Sequence, residues 1–121
     1  MQDELRAIEW LRNHAYRDEL VLRVMEAANL YTALGGLPII QPHPLTPQLG
    51  YSNEDITRRI KLTESFSPDL SEYRREGVKW IVIHTDPVAG DPYVPKVAEW
   101  VRKGECELAV TFGDFQVYKV R

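Results

Sequence analysis

The sequence has 121 residues, the length of one ordinary domain with a single buried core. Hydrophobic residues make up 44% and charged residues 27% of the chain, and this composition excludes a disordered protein. The formal net charge of -3 argues against a nucleic-acid partner held by a strong positive field. The single cysteine, Cys106, excludes an intramolecular disulfide and a CxxC metal site. No apolar run reaches the roughly 20 residues of a membrane span, so we expect one domain over residues 1–121.

Helices and strands alternate in the first part of the chain. Apolar residues at helical spacing predict an amphipathic helix over Asp3–Asn13, and a short apolar run predicts a buried strand over Leu20–Val24. A helix over Met25–Leu34 is expected to end at the two glycines that follow it, and Leu37–Ile40 is expected to form the next strand. Three prolines make Gln41–Gln48 a loop, because each proline removes a backbone donor.

Two helices and the strongest strand come next. A capping pattern that starts at Ser52 predicts a helix ending near Thr63, and Ser67 is expected to cap a second helix that ends at Gly77. The β-branched run Val78–His84 predicts a buried strand at the centre of the sheet.

The end of the chain predicts a loop, a helix and a hairpin. The loop covers Asp86–Pro95, and apolar residues that recur at helical spacing from Val94 to Val101 predict a last helix that ends at Gly104. A two-residue turn then separates the strands Cys106–Phe112 and Phe115–Val120. Strands separated by helices predict a three-layer, Rossmann-like α/β fold, with a mainly parallel sheet, helices on both faces and an antiparallel hairpin added at one edge.

Candidate ligand-binding residues follow the predicted strands. In open α/β sheets ligands bind beyond the carboxyl ends of the strands, where this chain has Glu26, His43, His84 and Asp86. Imidazole and carboxylate groups bind divalent metals or transfer protons, and His84 and Asp86 point to the same side if the strand continues. The same residues also fit a purely structural role, because aspartate followed by proline starts a turn.

A second candidate surface is basic. Arg58, Arg59, Lys61, Arg74 and Arg75 could bind an anionic headgroup or a phosphorylated lipid carrier. Acidic residues alternate with them in sequence, so the alternative is a solvated helix face.

Known cofactor and catalytic signatures are missing from the sequence. It contains neither of the glycine-rich phosphate-binding motifs, nor GxSxG, nor HExxH, so we expect no cofactor.

Tyr73–His84 reads as the end of a helix, a glycine and a "V-x-Y/W-hydrophobic-V-hydrophobic-H" strand. This segment resembles one that is common in the C-terminal extracytoplasmic domains of polytopic GT-C-type membrane glycosyltransferases. Ala7–Asn13 with the strand after it resembles the segment that follows their last membrane span, and Gly113–Val120 resembles their closing hairpin. Leu30–Pro38 fits their pattern of a small-residue helix that leads through glycine to a strand.

The resemblance implies a piece of a larger membrane protein, with Met1 as an engineered start and membrane helices upstream. The catalytic acids of such enzymes lie on loops between the spans, so this chain would be a non-catalytic accessory domain. It would pack over the active site and shape access for a lipid-linked sugar or an acceptor. The sequence lacks the WWDYG signature of oligosaccharyltransferase catalytic subunits, which argues against that branch.

Two other functions fit the same residues. The chain could be a free-standing metal-dependent hydrolase or small-ligand-binding protein that uses the strand-end residues. It could also be an interaction module that pairs through an unprotected edge of the closing hairpin.

Overall fold

The computed structural model describes residues 2–16, 18–24 and 53–121. In chain order these form α1 (Gln2–His14), β1 (Leu20–Leu22), α2 (Asn53–Ser65), α3 (Leu70–Arg75), β2 (Val78–His84), a 3₁₀ helix (Pro87–Ala89), α4 (Tyr93–Arg102), β3 (Cys106–Phe112) and β4 (Phe115–Val120). The predicted helix Met25–Leu34, strand Leu37–Ile40 and loop Gln41–Gln48 lie outside the described residues. Within the described ranges, no helix is both long enough and apolar enough to span a membrane.

The described strands form one mixed sheet in the order β1-β2-β4-β3. β1 runs parallel to β2, whereas β4 is antiparallel to both of its neighbours, β2 and β3. The prediction of a mainly parallel, Rossmann-like sheet is therefore wrong, because two of the three pairings among the described strands are antiparallel. The physical reason is the place of the hairpin: β4 pairs with β2 from Trp80 to His84 and so occupies the middle of the sheet. Of the two hairpin strands, only β3 lies at an edge of the sheet that the described strands form, and β1 lies at the opposite edge.

Helices cover both faces of this sheet. On one face, Ala7, Ile8 and Leu11 of α1 belong to a cluster of buried residues that includes Val82 and Val117 of the sheet. The opposite face packs against α3 and α4, which contribute fully buried aromatic side chains that include Tyr73 and Trp100. Burying one large apolar side chain contributes about 1.5–3 kcal/mol, so these two clusters fix the sheet between the helices.

Some element boundaries differ from the predicted ones. Ser67 does not cap α3: its Oγ accepts a hydrogen bond from Asp69 N at 3.1 Å, and Asp69 is the N-cap residue that accepts from Ser71 N at 3.0 Å. α4 begins at Tyr93, within the predicted loop Asp86–Pro95. The first strand ends at Leu22, so Arg23 follows it rather than belonging to it.

Candidate functional site

The candidate site lies where β2 ends beside the turn between β3 and β4. Strand pairing places His84, the last residue of β2, opposite Phe115, the first residue of β4. Thr85 then holds the turn, because its N–H and its Oγ1 both donate to the carbonyl oxygen of Asp114, at 2.7 and 3.0 Å. The turn is therefore fixed against the end of β2, and we call this region the strand-end edge.

Three potential metal ligands meet at the strand-end edge. One side-chain ligand atom each from His84, Asp86 and Asp114 lies within 4.8 Å of the other two. His84 and Asp86 are half-buried, and Asp114 is exposed. The structure thus brings together two of the residues selected from the sequence and adds Asp114.

Two of these three side chains, those of His84 and Asp86, have a local reason for their position. The imidazole of His84 stacks on the ring of Phe115, with centroids 4.3 Å apart and planes 17° apart. Asp86 is the N-cap of the 3₁₀ helix, and its Oδ1 accepts a hydrogen bond from Val88 N at 3.0 Å.

A buried ion-pair network lies directly behind the strand-end edge. Arg23 donates through Nε to Glu4 of α1 at 2.9 Å and through Nη1 to Asp91 at 3.2 Å. Asp91 also accepts from the backbone N–H groups of His84 and Tyr93, both at 2.9 Å. The network therefore ties α1, the end of β2 and the start of α4 to one guanidinium group.

A cleft of about 610 Å³ opens beside this network. Its wall includes Arg23, His84 and Asp91, with Phe66 and Pro92 supplying apolar surface. It lies at the carboxyl end of the parallel pair β1 and β2, which is where α/β folds place ligands. Phe66 has a backbone φ of 47°, a left-handed conformation that costs a bulky residue energy.

The basic residues do not gather into one open cationic patch. Glu76 binds two of them: its carboxylate accepts from Arg58 Nε at 3.0 Å, and its Oε1 lies 3.4 Å from Arg59 Nε. Arg74 donates to the carbonyl oxygen of Glu105 at 3.1 Å. Arg75 lines a small groove beside Glu76.

Lys61 is exposed and lines a separate groove with Arg58 on α2. Glu26 and His43, the remaining predicted ligand residues, lie outside the described residues. Sequence analysis missed Glu4, Arg23, Asp91 and Asp114. The one available signal was Arg23 within the apolar run Leu20–Val24, because a charge in a strand that is expected to be buried requires a partner.

The described thiol and the two most buried phenols are poor nucleophiles. Burial raises the pKa of the Cys106 thiol to about 11, and nearby Glu105 adds to the rise. Desolvation also raises the pKa values of Tyr73 and Tyr93, whose hydroxyl oxygens lie 3.4 Å apart. At neutral pH these three groups stay protonated, so they stabilise the core rather than attack a substrate.

Comparison with solved structures identifies the architecture. The chain is similar to the crystal structure of the C-terminal globular domain of an oligosaccharyltransferase from Archaeoglobus fulgidus, with a TM-score of 0.59 and 11% sequence identity. The match covers 100% of this chain and 98% of that one. The chain has the fold of an oligosaccharyltransferase C-terminal domain. No protein family and no curated protein matches the sequence.

This match confirms, at the level of the fold, the resemblance to C-terminal domains of membrane glycosyltransferases. The neighbour comes from the oligosaccharyltransferase branch that the missing WWDYG signature had argued against. At 11% identity the two chains share an architecture, and the residues of one cannot be assigned to the roles of the other.

Proposed function

We propose that this chain is a non-catalytic accessory domain of a membrane glycosyltransferase-like protein. In this proposal it lies on the extracytoplasmic side of the membrane, follows a transmembrane region, and shapes access of a lipid-linked sugar or an acceptor to an active site in that region. The observation that carries the proposal is the end-to-end match in fold with the C-terminal globular domain of an oligosaccharyltransferase. The similarity in fold extends over almost all of both chains, which supports the correspondence.

The position of the first helix supports a specific orientation. Asp3, in the first turn of α1, lies against Gly113 so closely that a Cβ atom on this glycine would collide with the carboxylate. The start of α1 therefore lies beside the turn next to Asp114. If membrane-spanning polypeptide precedes α1, the strand-end edge and its cleft face the membrane part of the protein.

Side-chain chemistry in the described residues supports an accessory role. The Cys106 thiol is protonated and buried, and Arg58, Arg59 and Arg23 all bind carboxylates. These contacts fit structural positions better than catalytic ones.

The proposal is tested by comparing three proteins in a glycosyl-transfer assay with a polyprenyl-phosphate-linked monosaccharide. They are the product of the whole reading frame, the same product without residues 1–121, and the isolated chain. We expect transfer by the whole product, reduced transfer after the deletion, and none by the isolated chain. Transfer or metal-dependent hydrolysis by the isolated chain would overturn the accessory role and favour the free-standing enzyme.

A further inference from the structure

We propose that His84, Asp86 and Asp114 bind one divalent cation of the Zn²⁺ or Mn²⁺ class. This inference does not depend on the proposed function, because it rests only on the geometry and charge of the strand-end edge. The set combines an imidazole nitrogen with two carboxylates, which distinguishes it from a cluster of surface acids. Mixed nitrogen and oxygen ligands are typical of zinc and other divalent transition-metal sites.

The distances leave room for one ion after a small side-chain movement. The three ligand atoms already lie within 4.8 Å of one another. Ligands bound to a single ion at about 2.0–2.2 Å cannot lie more than about 4.4 Å apart. Small side-chain rotations that move these atoms by a fraction of an ångström would close this difference.

The charge balance favours a cation at this position. Neither Asp86 nor Asp114 forms an ion pair with a lysine or arginine of the described residues, whereas Asp91 behind them is bound by Arg23. Two carboxylates that converge without a cation repel each other, and a divalent ion would remove that repulsion.

The ligands come from two separate parts of the chain that the fold already holds together. His84 and Asp86 flank Thr85, whose two hydrogen bonds to the Asp114 carbonyl fix the turn. Stacking on Phe115 restrains the imidazole. Because the backbone is fixed in advance, little conformational entropy is lost when the ion binds.

An ion at this position would hold the loop after β2 to the turn between β3 and β4. Three protein ligands do not fill the four to six positions of such ions, so water or an anionic ligand oxygen would complete the shell. His84 also lines the cleft, and an anion in the cleft could therefore reach the ion.

The test is calorimetric titration of the metal-free chain with Zn²⁺, repeated with three single variants. His84→Phe keeps an aromatic ring for stacking on Phe115, and Asp86→Asn and Asp114→Asn keep side-chain shape while removing charge. The control is His14→Phe, which removes an exposed imidazole that stacks on Trp10. We expect one ion per chain, and a Kd raised at least tenfold in each of the three variants, since losing even an outer-shell partner costs about 10–100-fold.

A second measurement uses the unmodified chain and does not depend on variants that fold. Substoichiometric Mn²⁺ should first broaden the amide NMR signals of residues 84–86 and 113–115, and leave those of α4 near Arg102 sharp. Equal Zn²⁺ affinity in the wild type and the three ligand variants would overturn the proposal. So would Mn²⁺ broadening centred elsewhere, or no binding at millimolar metal.

Discussion

The buried guanidinium of Arg23 gives the sharpest prediction for stability. Its side chain is 5% exposed, and the carboxylates that it binds, on Glu4 and Asp91, are 10% and 2% exposed. Arg23→Met keeps much of the side-chain volume but removes the positive charge at 2.9 and 3.2 Å from these two carboxylates. Asp91 cannot turn towards solvent easily, because the backbone N–H groups of His84 and Tyr93 hold both of its oxygens.

Removing one partner of a buried ion pair costs about 3–5 kcal/mol, because the remaining charge is left desolvated. For a chain of 121 residues, each 1 kcal/mol lowers Tm by about 4 °C, so Tm should fall by about 12–20 °C. Urea unfolding followed by tryptophan fluorescence gives the change in free energy directly.

The matched control is Arg6→Met. Arg6 lies 3.9 Å from Asp3 and is 61% exposed, so the loss of its charge should cost no more than about 0.5 kcal/mol. If Arg23→Met lowers the free energy of unfolding by less than about 1 kcal/mol, the loss is no larger than that of an exposed ion pair. That result would refute the argument that the network is buried and tightly coupled.

Two further predictions concern Glu76 and Cys106. Glu76→Gln should lower the free energy of unfolding by about 1–3 kcal/mol, because the buried carboxylate binds both Arg58 and Arg59. Urea titration measures this change, and the same titration of the exposed control Glu107→Gln should show little change. The raised thiol pKa of Cys106 makes stability fall as pH rises from about 9 through about 11, because the unfolded chain releases that proton first. Urea titrations at several fixed pH values check this, and the free energy of unfolding of Cys106→Ala should fall less over the same pH range. If it falls as much in Cys106→Ala as in the wild type, the thiol is not buried as described.

Local sequence patterns were enough to predict several strands of the sheet. The hairpin is one example: alternating residues on both sides of Gly113 and Asp114 specify two strands and a tight turn, and both strands have their predicted bounds. The strand Val78–His84 is another, since a run rich in β-branched residues fits a strand that is buried along most of its length.

The order of the strands could not be obtained in the same way. The sequence pattern of the hairpin would be the same if the hairpin were added at the edge of a parallel sheet or if its strand β4 paired with β2. That choice depends on contacts such as the pairing of Val82 with Val117, which join residues far apart in sequence. The wrong sheet order also hid Asp114, because only the pairing of β4 with β2 brings the hairpin turn to His84.

The buried charges show a similar limit. Arg23 directly follows Leu20–Leu22 and was included in the predicted apolar strand. Its partners lie 19 and 68 positions away along the chain, so no local pattern identifies them. By contrast, the sequence was enough to select His84 and Asp86 as candidates, because the position of a strand end follows from chain direction alone.

The most direct test of the accessory role is the genomic reading frame upstream of Met1. Our account predicts that the frame continues without a stop codon into several apolar segments of about 20 residues, each long enough to span a bilayer. A stop codon immediately upstream, with Met1 as the true start and no such segment in frame, would contradict the proposal that this chain belongs to a membrane glycosyltransferase-like protein.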